Sequence, residues 1–223
     1  MSDPKHEQRR LDGFVARLTA MRGPGDSLDI YEAWAGTYEQ DLLDYYGYVA
    51  PRIAVDALRA EQPDAGSIID FGCGTGLVGE ALRAAGYPSI DGIDISPKML
   101  AEANAKAVYR RIIVGDLTAR TTIDDGAYEA AVAVGCFGSG HLGPEHFGEL
   151  VRTVREGGCI VMYTNGIPYV EDDYPARIAE LERKDWWRVI KTEPSNYMDG
   201  RDRPGWVIVA RRGGAPISMP VAR

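Results

Sequence analysis

Cysteine, histidine and basic residues are all scarce in this chain of 223 residues. It holds 3 Cys and 3 His, and its 25 Lys plus Arg are outnumbered by 33 Asp plus Glu, for a formal net charge of −8. Cys73, Cys136 and Cys159 lie far apart, with no Cys-x-x-Cys pair and no Cys/His cluster. That pattern offers neither a disulfide framework nor a metal site, and a reducing cytoplasm is the expected compartment. The acidic balance argues against a sequence-independent grip on nucleic acid, which needs a basic face to neutralise phosphates, so no nucleic-acid partner is expected. No apolar run approaches the roughly 20 residues of a membrane span. At the N-terminus Lys5, Arg9 and Arg10 are mixed with Asp3, Glu7 and Asp12, with no apolar stretch before a small-residue cleavage site, so no signal peptide is expected either.

What is present suits a soluble globular protein: 45% hydrophobic and 26% charged residues. Leu11, Phe14, Val15, Leu18 and Met21 recur at a helical period, and Gly23-Pro24-Gly25 reads as the stop of that helix. A second helical region, rich in tyrosine, is expected from about Ile30 to Ala60, with Pro51 opening its last helix. Residues 1–62 thus read as an N-terminal helical cap and 63–223 as the core. From Gly66 strands and helices alternate: strands at Ser67–Phe71, Ile90–Ile95, Arg111–Val114, Ala130–Val134 and Cys159–Tyr163, with helices between them. An acidic helix over about Asp173–Lys184 precedes two more strands, Trp186–Ile190 and Trp206–Ala210, joined only by a polar loop. Alternation predicts a mostly parallel sheet covered on both faces. The final pair lacks a crossover helix and must be antiparallel. The predicted fold is therefore α/β, a doubly wound Rossmann-like sheet of seven strands with one antiparallel strand near the end.

In such a sheet ligands bind beyond the carboxyl ends of the strands, where strand order reverses. The first strand leads into Asp70-Phe71-Gly72-Cys73-Gly74-Thr75-Gly76, a turn whose alternate glycines let backbone touch a ligand. The second strand ends at Asp94, placed for a ribose diol, and the third in Gly115-Asp116-Leu117, placed for an adenine amino group. Gly74-Thr75-Gly76-Leu77-Val78-Gly79 also fits the dinucleotide pattern, which keeps an NAD(P)-dependent oxidoreductase open as an alternative. Asp70 favours the other reading, since a carboxylate there suits an ammonium group better than a pyrophosphate.

With these motifs the chain resembles the class I S-adenosylmethionine (SAM) methyltransferases over about residues 30–212, with Val154-Arg155-Glu156-Gly157-Gly158 similar to the turn before their fifth strand. More narrowly it resembles the methyltransferase-like proteins of the Williams–Beuren syndrome region, through Tyr31–Tyr38, Asp70–Leu82 and Asp91–Asp94. The resemblance implies SAM as cofactor and S-adenosylhomocysteine (SAH) as product. It implies that Asp70, Gly72, Cys73, Gly74, Thr75 and Gly76 hold the methionine end and that Asp94 takes the ribose. Ile95 and Met99 would then pack on adenine, with Asp116 and Leu117 at its far edge. Gly135 and Cys136 would line the donor methyl, and Tyr31, Trp34 and Tyr38 would close the site from the cap. No metal is implied. His141, in Gly138-Ser139-Gly140-His141-Leu142, is the candidate catalytic base or substrate ligand. No Asn-Pro-Pro-Tyr-like run follows the fourth strand and no carboxylates cluster at the acceptor site, so a small molecule with an O, N or S acceptor atom is the expected partner. A SAM-binding protein without turnover is the remaining alternative.

Overall fold

A computed structural model describes residues 24–45, 47–138, 141–198 and 204–217. The apolar stripe read between Leu11 and Met21 lies outside these residues. Seven strands form one sheet: β1 (Ile68–Phe71), β2 (Ile90–Asp94), β3 (Arg111–Val114), β4 (Tyr128–Val134), β5 (Val154–Asn165), β6 (Trp187–Asn196) and β7 (Pro204–Arg212). Their order is β3-β2-β1-β4-β5-β7-β6. β1 pairs in parallel with β2 and β4, β2 with β3 and β4 with β5, whereas β7 runs antiparallel to β5 and β6. All four residues of β1 are buried, as the central strand of a sheet covered on both faces requires.

The helices are α1 (Pro24–Trp34), α2 (Tyr38–Gln40), α3 (Ala50–Glu61), α4 (Leu77–Ala84), α5 (Pro97–Ala105), α6 (Phe147–Thr153), α7 (Gly166–Glu171) and α8 (Tyr174–Arg183). α2 runs into a π-helical turn, Asp41–Tyr45, and a 3₁₀ turn at Pro144–His146 leads into α6. One face of the sheet carries Ile68, Ile90, Val132 and Val161, packed with Ala54, Val55, Leu58 and Leu82. The other carries Phe71, Ile93, Ile160 and Ile208, packed with Phe147, Leu150, Tyr174 and Trp187. Ser96 caps α5 by accepting from the backbone N–H of Met99 at 3.3 Å, with Pro97 at the first helical position.

Buried charge also orders the sheet. Asp91 in β2 is fully buried and accepts from Arg110 Nε (2.9 Å) and Nη2 (2.7 Å), Arg111 Nε (2.9 Å) and the Tyr128 hydroxyl (2.7 Å). Burial alone would raise its pKa, but the hydrogen bonds from Arg110, Tyr128 and Arg111 outweigh it and hold the carboxyl below the ordinary range.

Several boundaries differ from the sequence reading. α1 begins at Pro24, inside the segment read as a helix stop, because proline is accommodated in a first helical turn. The region read as helical from Ile30 to Ala60 is interrupted at residues 35–37 and again at 47–49, where Gly47 takes a φ of +60°. There Tyr48 bridges to Met198, and the Val49 N–H donates to the Tyr197 carbonyl at 2.9 Å, tying the N-terminal helices to the end of β6. β6 and β7 reach well into the segment read as a polar loop. β6 is the edge strand, where Lys191, Glu193 and Pro194 cost little because one side of the strand has no sheet neighbour. The short helix α7 was not anticipated. No helix among the described residues is long and apolar enough to cross a membrane.

Candidate active site

Strand order reverses between β1 and β4, and a cleft opens beyond the ends of β1, β2 and β4, with its mouth included enclosing about 780 Å³ of non-protein space. Gly72, Gly74 and Gly76 all have φ between +52° and +95°, a region that L side chains rarely adopt. A Cβ at Gly72 would lie 2.3 Å from the Cβ of Cys136, so only glycine lets this loop pass the loop after β4. A Cβ at Gly74 would meet nothing within 4 Å; its bare backbone faces the open cleft.

Asp94, at the end of β2, holds the glycine loop in place. Its Oδ2 accepts from the Gly74 N–H and its Oδ1 from the Ser96 N–H, both at 2.9 Å. Burial raises its pKa, opposed by those backbone N–H groups. Ile95 follows it and is 45% exposed, an apolar side chain the protein itself leaves uncovered in the cleft. Met99 and Leu117 are buried behind it. Asp116 is exposed at the rim, and its Oδ1 accepts from the Thr118 N–H (2.8 Å) and hydroxyl (2.7 Å). At the opposite end lie Gly135, Cys136, Leu142, Tyr31, Tyr38 and His141. The Cys136 thiol donates to the Phe71 carbonyl at 3.0 Å, and burial keeps it protonated.

Tyr31, Tyr38 and His141 meet across two elements. The Tyr31 hydroxyl is 3.2 Å from His141 Nε2, with ring centroids 5.4 Å apart. Burial pushes the His141 pKa down to about 4, so the imidazole is neutral at physiological pH. Burial likewise drives the phenols of Tyr31 and Tyr38 upward, so both stay protonated.

Five residues named from the sequence do not line this cleft. Trp34 is buried behind Tyr31 and Tyr38, its indole N–H donating to Asp41 Oδ2 at 2.6 Å. Thr75 instead lines a smaller polar cavity with Gly36, Gln40, Glu102 and Lys106. The side of Gly76 where a Cβ would sit is closed by Tyr109 and Ala103, and Cys73 Sγ lies against Gly92. Asp70 is fully buried beneath the glycine loop, where its Oδ2 accepts from the Tyr109 hydroxyl at 2.6 Å. The carboxylate at the end of β1, expected to partner the methionine ammonium, lies beneath the glycine loop rather than on the open face of the cleft.

Tyr109 escaped the sequence reading. Its ring fills the space left by Gly76, Gly79 and Gly92, where a Cβ at Gly79 would come within 2.4 Å of it. A glycine inside a helix and another inside a strand, both otherwise unfavourable, were the available signal that a bulky group packs there. Tyr48 also escaped: its hydroxyl is 3.3 Å from where a Cβ of Gly135 would sit. Leu28, Ser96, Thr118, Val134 and Leu142 complete the lining.

Burial raises the Asp70 pKa to about 7, against the hydrogen bond from Tyr109, which lowers it. A folded-state pKa above the unfolded one means the protonated carboxyl stabilises the fold. That contribution is complete below about pH 3.8 and is lost as pH rises through about 7. Asp70→Asn is therefore expected to melt above wild type already near pH 5, by a margin roughly 5 °C wider at pH 8. Thermal melts of both proteins at the two pH values check this; an equal offset at both would remove Asp70 titration as the cause.

The lining fits an S-adenosyl group. An uncovered apolar side chain and a carboxylate at the end of β2 suit a nucleoside, and the open backbone at Gly74 leaves room for the chain beyond it. Comparison with known proteins agrees. Residues 68–158 match the family model described as a methyltransferase domain. Human methyltransferase-like protein 27 is 33% identical over 201 residues, covering 85% of this chain and 81% of its own length. The bovine 18S rRNA (guanine-N(7))-methyltransferase is 30% identical over 122 residues, 54% of this chain and 43% of that protein. Among solved structures, the complex of the Haloferax volcanii Trm112 methyltransferase activator with a putative methyltransferase aligns with a TM-score of 0.64 at 18% identity, covering 82% of this chain and 98% of that one.

These findings correct one expectation. The acidic net charge argues against a nucleic-acid partner, yet bovine and yeast relatives are both named as 18S rRNA methyltransferases. Overall charge is a sum over the whole surface and does not report on what one cleft admits. The comparisons also decide between the two nucleotide readings in favour of SAM, and between turnover and mere binding in favour of an enzyme. The chain belongs to the class I SAM-dependent methyltransferases, in the family that includes methyltransferase-like protein 27.

Proposed function

We propose that this methyltransferase acts on a small-molecule O, N or S acceptor that enters at the end of the cleft formed by Tyr31, Tyr38, Cys136 and His141. The observation that carries this reading is the enclosure of that end: the Tyr31–His141 contact spans from the helical cap to the loop after β4. SAM, when bound, supplies a methyl group on a sulfonium, a donor that needs alignment more than activation. The chain's contribution is binding and exclusion of water. With SAM bound, Asp94 would accept from the ribose hydroxyls, Ile95, Met99 and Leu117 would hold the adenine, and the backbone at Gly72 and Gly74 would hold the methionine end. Gly135, Cys136 and Tyr38 would line the region of the methyl group. His141, neutral and half-buried, is the base or acceptor ligand. Helices 24–61 act as a cap on the core that follows.

Incubation with methyl-labelled SAM, a panel of small phenols, amines and thiols, and total RNA tests the reading. Label in small-molecule products is the expected result. Label appearing only in RNA would replace the proposed acceptor class.

A further inference from the structure

The acceptor end of the cleft has a composition that narrows the acceptor's chemistry. Among the described residues lining the cleft, the carboxylates are Asp94 and Asp116, both at the nucleoside end after β2 and β3. The Tyr31 hydroxyl lies 3.2 Å from His141 Nε2, and Tyr38, Tyr48, Asp94 and Cys136 act on it electrostatically. Tyr31, Tyr38, Tyr48 and Cys136 are all held protonated by burial, and His141 is neutral. A cationic ammonium acceptor would have to share the single nearby carboxylate, Asp94, with the sulfonium that repels it. A neutral amine needs no base, because it loses its proton after attack. A hydroxyl acceptor, in contrast, must lose its proton as the new bond forms. The half-buried Tyr31 hydroxyl, 3.2 Å from His141 Nε2, is placed to pass such a proton on to the imidazole.

Building on the reading above, we propose that the acceptor is a phenol-class hydroxyl and that Tyr31 and His141 form a proton relay for it. The Tyr31 hydroxyl donates to His141 Nε2, which puts the imidazole proton on Nδ1. The acceptor hydroxyl donates to the Tyr31 oxygen. As a lone pair of the acceptor oxygen forms the O–CH₃ bond, the C–S bond breaks and its electron pair stays on sulfur. The acceptor proton moves to Tyr31 while the Tyr31 proton moves to Nε2. One positive charge enters the step on sulfur and leaves it on the imidazole, so the buried cleft never gains a net charge. The imidazolium then returns its proton to water as products leave. Tyr31 is the residue that touches the acceptor; His141, reached through Tyr31, takes up the proton.

Two experiments test the relay. In the ligand-free protein, ¹⁵N NMR of His141 should show an unprotonated Nε2 and a protonated Nδ1; a protonated Nε2 overturns the donor assignment. Turnover is then compared for unsubstituted phenols and for a nitrophenol already ionised at the assay pH, with SAH calorimetry to check that each variant still folds and binds. His141→Gln and Tyr31→Phe should lose about 100-fold on the unsubstituted phenol and little on the ionised one. Equal loss on both would make the dyad structural. Turnover of amines or thiols but not phenols would overturn the acceptor class while leaving the small-molecule reading intact, and label found only in RNA would end both.

Discussion

Asp94→Ala is expected to weaken SAH binding by about 100-fold. The carboxylate has two tasks that the substitution removes together. It is placed to accept from a ribose diol, and hydrogen bonds to a charged acceptor contribute roughly 1.5–3 kcal/mol each, so losing even one is worth 10- to 100-fold. It also accepts from the Gly74 and Ser96 N–H groups, at 2.9 Å each, and so holds the glycine loop against the end of β2. Without it the Gly74 N–H loses its partner and the open backbone face at Gly74 is no longer fixed. Asn is not a gentle replacement, because one of its two head atoms would oppose an N–H donor. Calorimetric titration with SAH, alongside a thermal melt, is the measurement. An unchanged dissociation constant in a folded variant would remove Asp94 from the cofactor site.

Glu149→Ala is expected to cost about 3–5 kcal/mol of stability, the usual penalty for stripping one partner from a buried ion pair. Glu149 and Arg152 are both buried on α6. Arg152 Nε donates to Glu149 Oε2 at 2.6 Å, and its other nitrogens bond Asp125 Oδ1 (3.0 Å), the Thr121 carbonyl (3.2 Å) and the Ile123 carbonyl. Glu149 Oε1 in turn accepts from the Thr121 N–H at 2.9 Å. The pair fastens the segment 121–125 to α6, and that segment follows directly on Asp116, Leu117 and Thr118 in the cleft wall. Urea unfolding should show the loss, with weaker SAH binding accompanying it. The double variant Glu149→Leu/Arg152→Met should recover most of the stability, since no charge is then left unpaired. A loss below about 1 kcal/mol in the single variant would mean that Arg152 reaches water.

The sheet and the glycine loop were legible because each rests on local chemistry. Ile68–Phe71 is a short apolar run followed by glycines at alternate positions, and that order specifies a buried parallel strand turning into a helix with its backbone exposed. The antiparallel ending was legible for a negative reason, the absence of a crossover between the last two strands. Boundaries were less so. Pro24 reads equally as a helix stop or a helix start, and only packing of α1 onto α5 decides it. The extent of β6 could not be read from Lys191 to Asn196 because an edge strand has no apolar pattern on its open side.

The site divides along the same line. Gly72, Gly74, Asp94, Ile95, Asp116 and Leu117 stand at or just past strand ends, and Met99 in the first turn of α5, where topology brings them together. Trp34 and Asp70 carry the same sequence signals as their neighbours, yet both lie behind the cleft, because depth depends on what packs above a residue. Tyr109 was invisible for the converse reason: its role is set by three glycines on other elements.

From its residues alone, the chain determined an α/β core and a nucleoside-binding order of motifs, since periodicity and strand-end chemistry act over a few residues; membership among the SAM-dependent methyltransferases rests on likeness to known proteins. Tertiary structure decided which side chains face the cleft, the raised Asp70 and lowered His141 pKa values, and the Tyr31–His141 contact. These depend on desolvation and on distances between residues 110 apart in sequence, and no local pattern encodes either.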